Sequence, residues 1–122
     1  MKLPGALGVL AVATCVSACH KPLPDVEPLT GGSPRAGQRL IEHYGCAACH
    51  RIEGIAHADS NVGPSLTNIR QAGYVGGVLP NSAENLARWI MDPRDVSPRT
   101  AMPDLGVSRD EARDIAAYLY SQ

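Results

Sequence analysis

Apolar residues recur at helical spacing in three stretches of this chain, and no stretch alternates at strand spacing over a useful length. In the first, Gly37, Leu40, Ile41 and Tyr44 fall at i, i+3, i+4 and i+7 and share one face. Ser33 before Pro34 is an N-cap followed by the residue best suited to the first helical position. This predicts a helix from Arg35 to about Tyr44, stopped near Gly45. Gly37 weakens such a helix, so its use is expected to be close approach of another helix.

The second stretch opens at Asn81, with Glu84 three residues on as in a capping signature. It brings Leu86, Trp89 and Ile90 together and ends before Pro93. The third opens at Ser108 with Glu111 in the same relation, and Asp110 and Glu111 favour the helix dipole. Its stripe is Ala112, Ile115, Ala116 and Leu119. A short helix around Ser65 to Gln71 is weakly signalled. The fold class is therefore all-α, with connections long enough to need a reason in so small a domain.

Before the first helix the pattern changes twice. Lys2 and the apolar run Leu3 to Val16 read as residues 1–18 of a signal peptide. The run is too short for a bilayer core of roughly 30 Å and is interrupted by Pro4, Gly5 and Gly8. Val16-Ser17-Ala18-Cys19 has the form of a lipoprotein cleavage site, which would leave Cys19 N-terminal and acylated and would remove Cys15 with the leader. Residues 19–33, with Pro22, Pro24, Pro28, Gly31 and Gly32, read as an extended tether. At about 3.1 Å per residue it would reach roughly 30–40 Å from its anchor. The folded domain is expected over 34–122.

Composition adds one constraint. The 122 residues carry a formal net charge of −1, so nothing in the charge balance favours a nucleic-acid partner. There is no Phe, one Trp and four Tyr, few large side chains with which to fill a small core. A large flat prosthetic group would fill the remaining space and explain the long loops.

Cys46-Ala47-Ala48-Cys49-His50 supplies the chemistry for one. C-x-x-C-H is the pattern of c-type haem attachment: two thiols one turn apart add to the two vinyl groups, and the adjacent imidazole reaches the iron. Other readings fit less well. A disulfide across so tight a pair closes a tiny loop and gains little. A structural zinc site needs four ligands, and no second Cys pair remains after leader removal. A thioredoxin-like pair needs a βαβ context. For the sixth iron ligand the chain offers Met102, stiffened by Pro103 in the loop before the last helix. Met91 ends the middle helix and reads as filler. His43, His57 and His20 lie on the first helix, in the loop after the motif and in the tether. A His/Met pair closes the iron and raises its potential, which suits electron transfer.

Together these residues resemble class I cytochromes c over about Pro34 to Ser121. The match rests on the N-terminal helix, Cys46-Ala47-Ala48-Cys49-His50, Gly63-Pro64-Ser65-Leu66, Met102-Pro103 and the ending Ala117-Tyr118-Leu119. The resemblance implies three to four helices around one covalent haem, with the first and last helices crossing at Gly37. It further implies that the Pro64 carbonyl accepts the second ring N–H of His50, fixing its tautomer, and that Leu66 packs on the same haem face. The run Leu79 to Ile90, followed by Asp92-Pro93, is similar to the cytochrome c domain fused to subunit II of caa-type haem-copper oxidases. That comparison places Trp89 near the haem and Tyr74 or Arg70 near a propionate; simple core packing of Trp89 is the equal alternative. Unlike the fused form, this sequence shows no copper-binding domain, transmembrane hairpin or second cysteine pair.

The expected function is a one-electron carrier of a respiratory chain, lipid-anchored on the periplasmic or extracytoplasmic face. It would deliver electrons to a haem-copper terminal oxidase or accept them from a periplasmic dehydrogenase. It is not expected to be an enzyme or to have a catalytic side chain or small-molecule substrate. The competing class is a haem sensor or peroxidase-like enzyme in which Met102 is labile, although only His43 and His57 could assist proton transfer there. Arg35, Arg39, Arg51 and Arg70 could form a docking rim, but Glu42, Glu53 and Asp59 are interspersed, so a mixed solvated surface is expected.

Overall fold

The computed structural model describes residues 22–122. The leader, Cys15, Cys19 and His20 lie outside the described residues. The elements run α1 (Pro34–His43), a 3₁₀ turn (Cys46–Ala48), a second 3₁₀ turn (Ile69–Gln71), β1 (Tyr74–Val75), β2 (Leu79–Pro80), α2 (Ala83–Met91), α3 (Pro93–Val96) and α4 (Arg109–Tyr120).

The helices begin where their caps dictate, with one shift. The Ser33 hydroxyl accepts from the Ala36 amide, with Pro34 in the first turn of α1. Ser108 and Glu111 form a reciprocal capping box at α4. The cap of α2 is Ser82, whose hydroxyl accepts from the Asn85 amide, and not Asn81 as the spacing predicted. Asn81 is used elsewhere. Its amide donates to the carbonyls of Ile69 and Ala72, and its oxygen accepts from the Tyr120 hydroxyl at 2.7 Å. It thereby ties the second 3₁₀ turn to the end of α4.

Two small elements were not expected. Asp92 caps the single turn of α3 through the Asp95 amide, with Pro93 at its start. Tyr74–Val75 and Leu79–Pro80 pair as an antiparallel ribbon. Strands of two residues are too short to show any alternation. Gly76 at φ +56° turns this ribbon, and a Cβ there would sit 2.5 Å from the Trp89 ring. The helix predicted around Ser65 to Gln71 is reduced to the 3₁₀ turn.

The core is the crossing of α1 and α4. A Cβ on Gly37 would collide with the Asp114 carbonyl and lie 3.0 Å from the Tyr118 Cβ, so the backbones meet as expected of that glycine. Every residue of the α4 stripe (Ala112, Ile115, Ala116 and Leu119) is buried, and so are Ala117, Tyr118 and Tyr120. The C-terminal half of α4 is thus enclosed on all sides. Large buried side chains of this kind are worth about 1.5–3 kcal/mol each. Burial also pushes the Tyr118 phenol above its ordinary value, and its hydroxyl donates to the Glu53 carbonyl at 2.8 Å.

The stretch read as tether is docked over its second half. Leu23 packs on the core, and Glu27 is 1% exposed. One Glu27 oxygen accepts from the amides of Leu29 and Thr30, and the other lies 3.8 Å from Arg70. The Ser33 amide donates to Asp114 at 2.8 Å, and a Cβ on Gly32 would sit 2.6 Å from the Arg113 carbonyl. Pro28, Gly31 and Gly32, which suggested an extended chain, lie in a turn here, because a buried carboxylate organises the local amides.

Gly37→Ala tests the crossing. An alanine in an exposed helix would stabilise by up to about 1 kcal/mol. At Gly37 the loss from overpacking is expected to be about 1–3 kcal/mol, seen as a lower denaturation midpoint at unchanged m value. An unchanged or higher midpoint would show that the helices can part without cost.

Candidate haem site

The loop after α1 is built to present a histidine. Tyr44 caps α1 and Gly45 adopts φ +70°, turning the chain into the Cys46–Ala48 turn. The amides of Cys49 and His50 both donate to the Cys46 carbonyl, which fixes the spacing of the three functional residues. Both thiols are free and half-buried. Burial is the largest influence on the Cys46 thiol and pushes it above its ordinary value.

A strap at 63–66 is tied across this loop. The Gly63 amide donates to the Cys49 carbonyl at 2.7 Å, and the Leu66 amide to the Arg51 carbonyl at 2.9 Å. Between those ties the Pro64 carbonyl lies 2.7 Å from Nδ1 of His50. A carbonyl can only accept, so Nδ1 carries the proton and Nε2 holds the free lone pair. Gly63 is required on contact grounds, since a Cβ there would lie 2.6 Å from Cε1 and 2.9 Å from Nδ1 of the ring.

His50 and Cys46 line a narrow, partly open cleft. Its walls are Ile41, Ile52, Leu66, Ile90, Leu105, Val107, Ile115 and Leu119, and Met102 lines it as well. Among the described residues, Met102 is the single methionine and His50 the single histidine in that lining. The other residues considered from the sequence lie elsewhere. Met91 borders a separate groove beside the start of α4. His43 stands edge-on to Tyr44 on exposed α1 surface, and His57 is exposed at φ +58°.

The residues present fit a haem. The cleft is apolar, an imidazole with its outer nitrogen satisfied borders it, a thioether borders it too, and two free thiols sit one turn apart. No cluster of three or more His, Cys, Asp or Glu suited to a metal ion occurs among the described residues.

Three residues considered as haem neighbours do not line the cleft. Trp89 is not among the cleft-lining residues; its ring is covered by Gly76 of the ribbon, the packing role considered for it. Arg70 is held by the Tyr120 carbonyl at 3.3 Å and by Glu27, and Tyr74 is 64% exposed. What the sequence missed is Glu111. Its Oε2 accepts from the Ser108 amide and hydroxyl and also from Tyr44, 67 residues away in sequence. The capping signature disclosed the first two bonds, and nothing in the pattern disclosed the third.

Comparison with known proteins agrees with this geometry. Residues 34–122 match the family model for cytochrome c. The chain is 32% identical over 98 residues to a cytochrome c oxidase subunit 2 of Alkalihalophilus pseudofirmus, covering 80% of this chain and 28% of that protein. The chain thus spans little more than a quarter of that relative's length. The resemblance drawn from the motifs is borne out by both findings, as is the class I fold with its covalent haem c. With its crossed terminal helices and C-x-x-C-H loop, the chain belongs to the cytochrome c family and is an electron-carrying cytochrome.

Proposed function

We propose that this protein is a membrane-tethered carrier of single electrons to a haem-copper terminal oxidase. In this reading Cys46 and Cys49 hold the haem as thioethers, and His50 and Met102 ligate its iron. The observation that carries it is the cleft that His50 and Met102 both line, with the His50 Nδ1 already committed to Pro64. When bound, the haem supplies a one-electron ferric/ferrous couple. The chain's own residues set the conditions for it. Pro64 fixes the His50 tautomer and strengthens the imidazole as a donor. Leu66 and the aliphatic walls exclude water, which keeps reorganisation on electron transfer small. A soft thioether from Met102 favours the reduced state and closes the iron to other ligands.

The oxidase partner is supported by the similarity to a cytochrome c oxidase subunit 2. The anchor is supported by the Val16-Ser17-Ala18-Cys19 sequence, and with it the extracytoplasmic location. Among the described residues no helix is long and apolar enough to cross a membrane. On this reading, membrane attachment depends on the lipid at Cys19.

The test is the absorption spectrum of the oxidised holoprotein, with Met102→Ala beside it. A weak thioether-to-iron charge-transfer band is expected in the wild type and is lost in the variant. The reduced wild type is expected to leave carbon monoxide unbound at neutral pH. Ready binding would overturn the carrier reading in favour of a sensor or peroxidase-like protein. Gly63→Ala, which presses a methyl group on His50, is expected to loosen the bond to Pro64 and make the imidazole a poorer donor. Its reduction potential should therefore rise above that of the wild type, measured by redox titration. A fall or no change would show that Pro64 does not tune the iron.

A further inference from the structure

The two sides of the cleft come from opposite parts of the chain. Cys46 and His50 follow α1, whereas Met102, Leu105 and Val107 precede α4. The Met102 loop is bonded to itself alone: the Thr100 amide donates to the Ser97 carbonyl, the Met102 amide to the Thr100 hydroxyl and the Gly106 amide to Asp104. Its far end is fixed at Ser108, where both the amide (2.9 Å) and the hydroxyl (2.6 Å) donate to Oε2 of Glu111. The same oxygen accepts from the Tyr44 hydroxyl at 3.0 Å. Tyr44 is the C-cap of α1, two residues before Cys46.

We propose that Glu111 and Tyr44 act as a positioning clamp, in which one carboxylate oxygen sets how closely the Met102 loop is held to the haem-attachment loop. The inference rests on the assignment of Met102 as iron ligand. A capping box needs only Ser108 and Glu111 to start α4, so the Tyr44 bond adds nothing to capping. What it adds is a charge-assisted tie between two segments that border the same cleft. Such a bond limits how far the loop can swing out, and so how often the thioether leaves the iron.

Tyr44→Phe isolates the tie. It keeps the ring, the edge contact with His43 and the capping box, and removes one hydroxyl. The readout is the affinity of the oxidised holoprotein for added imidazole, which must displace the sixth ligand. A gain of about fivefold over wild type is expected, a modest effect because solvent weakens a hydrogen bond at the surface. The charge-transfer band should persist without imidazole. Glu111→Gln retains an acceptor and is expected to fall between wild type and Tyr44→Phe, which serves as the conservative comparison. Imidazole affinity unchanged in Tyr44→Phe, with or without a lower denaturation midpoint, would reduce the pair to a structural contact and overturn the clamp. Met102→Ala separates the two proposals: if it too leaves imidazole affinity and spectrum unchanged, the ligand assignment itself has failed.

Discussion

The close approach of α1 and α4 is the constraint on which the remaining structure hangs. Because Gly37 has no side chain, the Asp114 carbonyl of α4 occupies the space a methyl group would take. That contact fixes one turn of each helix against the other, and the neighbouring turns then have partners in register. Asp114 reaches the Ser33 amide, and Tyr118 reaches the Glu53 carbonyl. Tyr44 meets Glu111 near the opposite end. The two loops that border the cleft leave from this crossed pair, so their separation follows from how tightly the helices cross.

The candidate site shows the same economy at smaller scale. No long element supports His50. Its orientation comes from two backbone hydrogen bonds that hold residues 63–66 across the C-x-x-C-H loop, and from one carbonyl between them. Backbone groups make a good support for a redox ligand because they do not titrate, so the His50 tautomer is fixed without a neighbouring charge. The cleft walls are aliphatic apart from Cys46, His50 and Met102. In such surroundings a change of charge at the cofactor meets few mobile dipoles, which is what an electron carrier requires.

Much of this was legible because the informative signals are local. Caps at Ser33 and Ser108, the apolar stripe of α4 and the C-x-x-C-H motif all act within a few residues of themselves. Gly37 was legible for a different reason: a glycine on a helix's apolar face has few explanations other than close approach. What the spacing did not disclose shares a cause as well. Asn81 has the chemistry of a cap but serves the Ile69 and Ala72 carbonyls, because Ser82 beside it does the capping. Trp89 sits on the apolar side of α2, yet which neighbour covers it depends on a ribbon of two-residue strands that no periodicity can announce. Glu27 lies in the run read as a tether, and its partner Arg70 lies far along the chain. Pairings at long sequence separation leave no mark on the spacing of either residue.

Glu27 also bears on how the proposed tether would work. One of its oxygens holds the amides of Leu29 and Thr30 while the other has no hydrogen-bond donor, only Arg70 at 3.8 Å. The buried carboxylate is compensated by the two amide hydrogen bonds and the nearby guanidinium, as burial of a charge requires. The effect is to take the residues after Glu27 out of the extensible part of the chain. Glu27 lies eight residues after Cys19, and at no more than about 3.6 Å per residue that length spans roughly 29 Å. With a lipid at Cys19, the domain would thus stay within about its own diameter of the bilayer. On the proposed function, so short a leash would raise the local concentration of the carrier at a membrane-embedded oxidase and limit its search to the plane of the membrane.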